Sequence, residues 1–423
     1  MEFFDQLRRH LTKPHVRPWA LSAPILVLLI CLPLLRPLRH PDPRGISDDE
    51  LTRLATVQSL VEKRTLAIDD SVYQPTRAIA QPPTMAVLLA GPYAIMRLFG
   101  VTFASDPELI AYLLTVIGAT IPVAAAAGLI YRMGRMFELR RPKRAMLAAA
   151  VVLASGLISY GVVLNAQAPA AALLLSAVAC IANVAAAKQQ RGTTGWLAVA
   201  GMCAAFAATI APPATIFLVL MLFAIPAMRW SRRMRLAGMA LYILGAAGPI
   251  ILHLALAPPL ILPHIASNFS PTKHLADALL GQHGILTHFP IVLLGIFGVA
   301  AVMHRHWPMT TKSLATATLA GGAAILIAAS LLTLAAPAKM FGPQSFILFL
   351  PLVLFWSGAW LRRRHHPFVW TVVTCALVFS ITVALIGATD PFPRDGYDGY
   401  SAAQALSHLM RDDMQSPPIL ATR

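Results

Sequence analysis

Asp48, Asp49 and Glu50 stand side by side in the stretch "GISDDELTRLATVQSLVEKRTLAIDDS" (45–71), which closes on Asp69-Asp70. The 423-residue chain is 57% hydrophobic and only 12% charged, so carboxylates this dense need a reason. Two roles fit. Ser47-x-x-Glu50 is a capping box, and acids in a first helical turn are each favoured by about 0.3–1 kcal/mol through the helix dipole. Alternatively, one carboxylate serves as general base on an acceptor hydroxyl, which requires cations nearby to hold an anionic leaving group. Arg53, Arg77, Lys273, Lys339 and the histidines of the same face are the candidates for that second part. Asp69-Asp70 precede the turn-prone "SVYQPTR" and read as turn formers.

His264, His274, His283 and His288 gather in one later region with Lys273 and Asp277. Their spacings do not give a helical His-x-x-x-His pair, so hydrogen bonding or phosphate contact is expected of them rather than zinc. His253 falls within an apolar run and reads as a neutral, hydrogen-bonded residue of a helix bundle. Asn268-Phe269-Ser270 fits a glycosylation acceptor, but Pro271 follows and the Ala-rich composition looks bacterial.

The elements that must position these groups are hydrophobic. Mean hydropathy is +0.67, and apolar runs recur along the whole chain at lengths suited to a bilayer core. The spans read from the sequence are 19–35, 109–131, 145–164, 169–187, 196–211, 214–228, 236–256, 285–303, 313–336, 344–361 and 368–387. The first is too long for a signal-peptide core and lacks a cleavage motif, so it reads as a retained span. Residues 82–99 are short and broken by Pro82-Pro83 and Gly91-Pro92, and read as an interfacial helix. Pro212-Pro213 mark a reversal between two short spans. Residues 1–387 thus form the membrane domain and 388–423 an external tail.

Basic clusters ("RMGRMFELRRPKR", "KQQR", "RWSRRMR", "HRHWPMTTK", "LRRRHH") lie in the short loops and, by the positive-inside rule, in the cytoplasm. This assignment puts 21 of the 34 Lys and Arg, but only 3 of the 18 acids, on that side. The N-terminus is then inside and the C-terminus outside, with 36–108 the largest external loop. From Ser47 onward, Leu51, Leu54, Ala55, Val57 and Val61 recur at helical spacing, as on a helix lying along the surface. The net charge of +16 therefore reflects topology and gives no reason to expect nucleic acid. All four cysteines lie within apolar runs, and there is no Walker A, dinucleotide or G-x-S-x-G motif. No charged residue lies inside a span and no inverted repeat is evident, which disfavours an ion-coupled transporter.

The order of these features resembles the multi-spanning GT-C glycosyltransferases, which include protein mannosyltransferases and the aminoarabinose transferase of lipid A. The resemblance begins with one span and an external loop bearing Asp49-Glu50. It continues through "AQPPTMAVLLAGPYAIMRLFG", "LIYRMGRMFELRRPKR", "LLGQHGILTHFPIVLLGIFGV" and "FGPQSFILFLPLVLF", covering most of 19–361. It implies an all-α transmembrane bundle in the bacterial cytoplasmic membrane. The donor would be a sugar on a polyprenyl phosphate, and the acceptor a lipid, glycan or protein at the outer leaflet.

By position Asp49 carries the role of base, with Asp48 and Glu50 as neighbours. Arg53, Arg77, Gln81, Lys273, His283 and Gln344 would face the donor. No metal ligands are assigned, no cofactor is required beyond the lipid-linked donor, and a divalent metal is left open. Three cations of the family pattern are missing: Gln81 stands before Pro-Pro where relatives have Lys, Gln344 follows Gly342-Pro343 in place of Arg, and Ala211-Pro212-Pro213 replaces Lys-Gly-Pro. A GT-C-like protein that binds lipid-linked sugar or aids assembly without catalysis is the alternative, and a transporter of lipid-linked saccharide a weaker one.

Overall fold

The computed structural model describes residues 19–35, 48–68, 71–72, 81–186, 194–256, 271–304, 306–331, 341–391, 401, 403–404 and 407. The described chain is helical almost throughout. Helix α1 (Trp19–Cys31) is followed by the polar α2 (Asp48–Glu62) and the apolar α3 (Thr84–Leu98). Helices α4 (Pro107–Thr115) and α5 (Ile121–Met133) are joined by a π turn at Val116–Thr120 into one rod of 27 residues. Next come α6 (Arg141–Val152), the short α7 (Leu157–Gly161) and α8 (Gln167–Ala186). Helix α9 (Gly195–Ile210) meets α10 (Thr215–Leu222) at a 3-10 turn over Pro212–Ala214, and α11 (Arg232–Leu256) follows. The remainder comprises α12 (Pro271–Leu280), α13 (Ile285–His288), α14 (Val292–Met303), α15 (Met309–Leu331), α16 (Leu350–Phe355), α17 (Ser357–Leu361) and α18 (Pro367–Thr389).

Five helical stretches among the described residues are long and apolar enough to cross a membrane, or six if the bent pair α12–α13 and α14 counts as one. The other apolar segments are shorter, and their interruptions are legible. The 145–164 segment breaks at Gly156, whose φ of +77° is a left-handed conformation that side chains resist. A Cβ there would also lie 2.4 Å from Phe289 Cζ. The expected span 285–303 is corrected: its straight part begins at Val292, because Phe289-Pro290 interrupts the helix and the two parts meet at 91°. The reversal expected at Pro212-Pro213 is present, as is a separate helix over 84–98.

Without a hydrophobic drive in lipid, helices associate by close packing of small residues. Helices α9 and α11 show this at two points. A Cβ on Gly201 would fall 1.9 Å from Tyr242 O, and one on Gly245 would fall 1.9 Å from Ala198 O. The core is Ala-rich along α8, where Ala168, Ala170, Ala171, Ala177 and Ile181 are fully or almost fully buried.

Loop contacts separate the molecule into two ends. At one end Lys143 Nζ donates to Leu361 O (2.5 Å), Arg362 pairs with Glu138 (2.5 Å) and sits over Trp307 (5.7 Å), and Thr310 donates to Ala227 O (3.2 Å). These segments are the basic ones. At the other end Leu164 meets α2, Phe341 N–H donates to Pro391 O (2.9 Å), Tyr160 Oη donates to Phe341 O (2.6 Å), and Thr84 lies beside His253. Every loop pair seen in contact falls on the same side of the partition that the charges give.

Candidate functional site

Helix α2 forms because its apolar positions recur at helical spacing. Leu51, Leu54, Ala55 and Val57 are buried, and the helix packs along α3. Its far end is tied down by Glu62, which accepts from Tyr93 Oη and, at 3.0 Å, from Gln58 Nε2. Its first turn presents the three acids, and the structure separates them.

Glu50 is 4% exposed, and its Oε1 accepts from the Leu164 backbone N–H at 3.0 Å. One turn on, Arg53 Nη1 donates to the carbonyl of the same residue at 2.7 Å. Residue 164 is thus clamped through both backbone groups by an i, i+3 pair on one helix face. Burial lowers the Arg53 pKa, while the negative charges of Asp49 and Glu50 act against that. Arg53, expected to face the donor, therefore has a structural partner first.

Asp49 is half-buried, and its carboxylate makes no hydrogen bond or ion pair with the described residues. Its backbone carbonyl accepts from Gln81 Nε2 at 2.9 Å, which ties α2 to the start of α3. Gln81 Oε1 is buried with no partner among the described residues. Three residues on, Thr84 is fully buried with its Oγ1 3.3 Å from His253 Nδ1, which gives His253 the hydrogen-bonded role expected of it. The Asp48 side chain, Ser47, Asp69, Asp70, Arg77, His264, Asn268–Ser270 and Lys339 lie outside the described residues.

The remaining expected residues lie on the later segments 271–288 and 341–346. Lys273 is exposed on α12, His283 is half-buried after it, and Gln344 opens a 3-10 turn (Gln344–Phe346). One of the four histidines grouped from the sequence, His288, is more deeply placed here and has the hydrogen bond expected of it. His288 is 2% exposed, its ring edge-on to Phe341 (centroids 5.6 Å apart), with Nδ1 3.0 Å from Gly284 O. A carbonyl only accepts, so Nδ1 carries the proton. Spacing gave no signal for His288; its Phe-Pro neighbour, which ends the helix, is what turns it inward.

Residues 160–165 connect α2 with the 341–346 segment. Asn165 Nδ2 donates to Tyr160 O and to Val163 O (2.8 Å), its Oδ1 accepts from Ala168 N–H (2.9 Å), and Tyr160 reaches Phe341. Beneath Leu164 runs an apolar groove of about 610 Å³. It is bounded by Met85, Leu88 and Leu89 of α3, by Ile117 and Gly118 of the π turn, and by Pro169 and Leu173 of α8. Gly118 makes room there, since a Cβ would stand 3.0 Å from Leu164 Cδ1 and 3.2 Å from Leu89 Cδ2. Leu164, which Glu50 and Arg53 hold, packs beside the groove-lining Gly118, so α2 is linked to the groove through that residue. Among the described residues no group of three His, Cys, Asp or Glu side chains could hold a metal ion.

Neither a protein-family model nor a curated protein matches the chain. Solved structures do. The apo ArnT of Cupriavidus metallidurans aligns at TM-score 0.52 and 15% identity, over 85% of this chain and 62% of its own. The same protein bound to undecaprenyl phosphate aligns over 87% and 64% at TM-score 0.52. The oligosaccharyltransferase AglB of Archaeoglobus fulgidus, in complex with an inhibitory peptide and a dolichol-phosphate, aligns at TM-score 0.51 and 12% identity over 89% and 56%. The chain shares the fold of these structures and spans about 56–64% of their length, with low identity throughout.

Proposed function

We propose that the protein transfers a sugar from a polyprenyl-phosphate donor to an acceptor hydroxyl at the outer face of a bacterial cytoplasmic membrane. It would cross that membrane eleven times, with its N-terminus inside. The observation that carries the reading is the division of labour on α2. Glu50 and Arg53 are spent on Leu164, whereas the Asp49 carboxylate is engaged by none of the described residues. The neighbours support the kind of chemistry: ArnT is seen with undecaprenyl phosphate and AglB with a dolichol-phosphate.

In this reading Asp49 takes the proton of the acceptor hydroxyl as its oxygen bonds to the glycosyl carbon. The bond from that carbon to the phosphate oxygen breaks, and polyprenyl phosphate leaves. The groove beneath Leu164 takes hydrocarbon from one of the lipid substrates. Lys273, His283 and Gln344, on the later segments, supply contacts to the phosphate, with Arg53 setting the field around Asp49. Gln81 is neutral where the family pattern has Lys, and its buried acceptor awaits a donor such as a sugar or acceptor hydroxyl.

The deciding experiment compares envelope glycans and glycolipids of deletion strains complemented with wild type or Asp49→Asn. A general base contributes roughly 10²–10⁴ in rate, so Asp49→Asn should behave as the deletion at unchanged protein level. Full complementation by Asp49→Asn would favour the second reading, a GT-C protein that binds lipid-linked sugar without transferring it. The neutral Gln81 and Gln344 are the observation on its side.

A further inference from the structure

The basic end of the bundle holds a second cavity, separate from the α2 site. Its volume is about 510 Å³, and it is formed where three loops meet. Arg229, His306 and Lys312 supply positive or titratable groups, Trp230 and Trp307 supply indoles, and Met228, Met309 and Ala185 form an apolar wall. No lining residue is acidic, and among the described residues none of the three basic side chains is paired with a carboxylate. Arg229 and His306 are exposed, while Lys312 is half-buried with its Nζ donating to Met303 O at 3.0 Å. The one ion pair described at this end, Arg362 with Glu138, uses the only acid of these loops.

A second observation gives the cavity its depth in the membrane. All seven tryptophans of the chain, at 19, 196, 230, 307, 356, 360 and 370, lie in or within a few residues of the basic loops, and the opposite face has none. Indoles concentrate where hydrocarbon meets headgroups, so this plane marks a headgroup level. A cavity at that level with cations on one wall and apolar side chains on the other matches a molecule with an anionic head and an acyl body. A soluble anion would have no use for the Met and Ala wall.

We propose that this cavity binds the headgroup of an anionic phospholipid from the leaflet at the basic face. Arg229 and Lys312 contact the phosphate and Trp230 and Trp307 flank the glycerol and upper chain. The proposal does not depend on the transfer reaction assigned to the α2 site.

The full chain in phosphatidylcholine nanodiscs is doped with equal fractions of acyl-brominated phosphatidylglycerol or acyl-brominated phosphatidylcholine, and indole quenching is followed. Two basic groups at a charged surface should give roughly a tenfold preference for the anionic lipid, read as quenching at lower mole fraction. Arg229→Gln/Lys312→Gln should abolish that preference, and Trp230→Phe/Trp307→Phe should remove the excess quenching. Arg135→Gln, exposed at the same end but lining neither cavity, should leave both intact. If the double variant does not fold, Arg229→Gln alone, at an exposed side chain, decides in its place. Equal quenching by both lipids overturns the proposal. So does loss of the excess on adding inorganic phosphate, which would make the ligand a soluble anion.

Discussion

Asp49 and Glu50 are adjacent, yet they carry different duties because their side chains leave the helix in different directions. Glu50 holds the Leu164 N–H, and removing it would leave that buried donor without its acceptor and the desolvated Arg53 without one of the two negative charges near it. Glu50→Ala should therefore lower stability by about 1–3 kcal/mol, measured as thermal unfolding in detergent. Asp49→Ala should change it by less than about 1 kcal/mol, since it removes a dipole contact and one of the two charges near Arg53 but no hydrogen bond of the side chain. A larger loss at Asp49 than at Glu50 would show that the roles are reversed. The sequence offered both capping and catalysis for the cluster and could not divide them, because the partner of Glu50 lies 114 residues away. For the same reason it grouped Arg53 with the donor contacts.

Among the elements, the short α7 and its flanks deserve the name of keystone, since α2, the 341–344 turn and α18 all rest on residues 156–165. Its geometry depends on Gly156, which combines a positive φ with contact against Phe289 and Ile347. Gly156→Ala should cost at least about 1 kcal/mol through backbone strain alone, and more through the clash. Because both halves of the site hang from this segment, the variant should lose thermal stability and transfer activity together, unlike Asp49→Asn. The break was not legible in the sequence: 145–164 is apolar along most of its length, and neither of its two glycines gives a sign of its handedness there. The Phe289-Pro290 bend was better signalled, yet apolar composition alone carried the expected span across it.

For the molecule as a whole, the charges told more than the hydropathy. Eleven apolar segments were legible, but among the described residues only five or six helical stretches meet a simple length criterion. The partition of loops into two ends, by contrast, came from counting Lys, Arg and acids, and the contacts follow it. Its orientation is testable in a variant whose four native cysteines are replaced. Lys273→Cys should react with an impermeant maleimide on intact cells, and Arg140→Cys should react only after permeabilisation. The reverse pattern would invert the topology and move Asp49 to the cytoplasm. What no pattern in the chain announced was the convergence of distant loops on residues 160–165, which arises only once the helices are packed.

The π turn at Val116–Thr120 has a consequence for how this rod tolerates change in length. A π turn closes its hydrogen bonds one residue later than an α turn, so it holds an extra residue while the flanking helices keep their facing. Losing a residue elsewhere in 107–133 would rotate everything beyond it by roughly 100° and turn the groove-lining Pro122, Ala125 and Leu129 away. Losing one within 116–120 would let the turn relax to an ordinary helix with both flanks in phase. Single-residue deletions scanned along the rod should therefore be silent at one place, the turn itself.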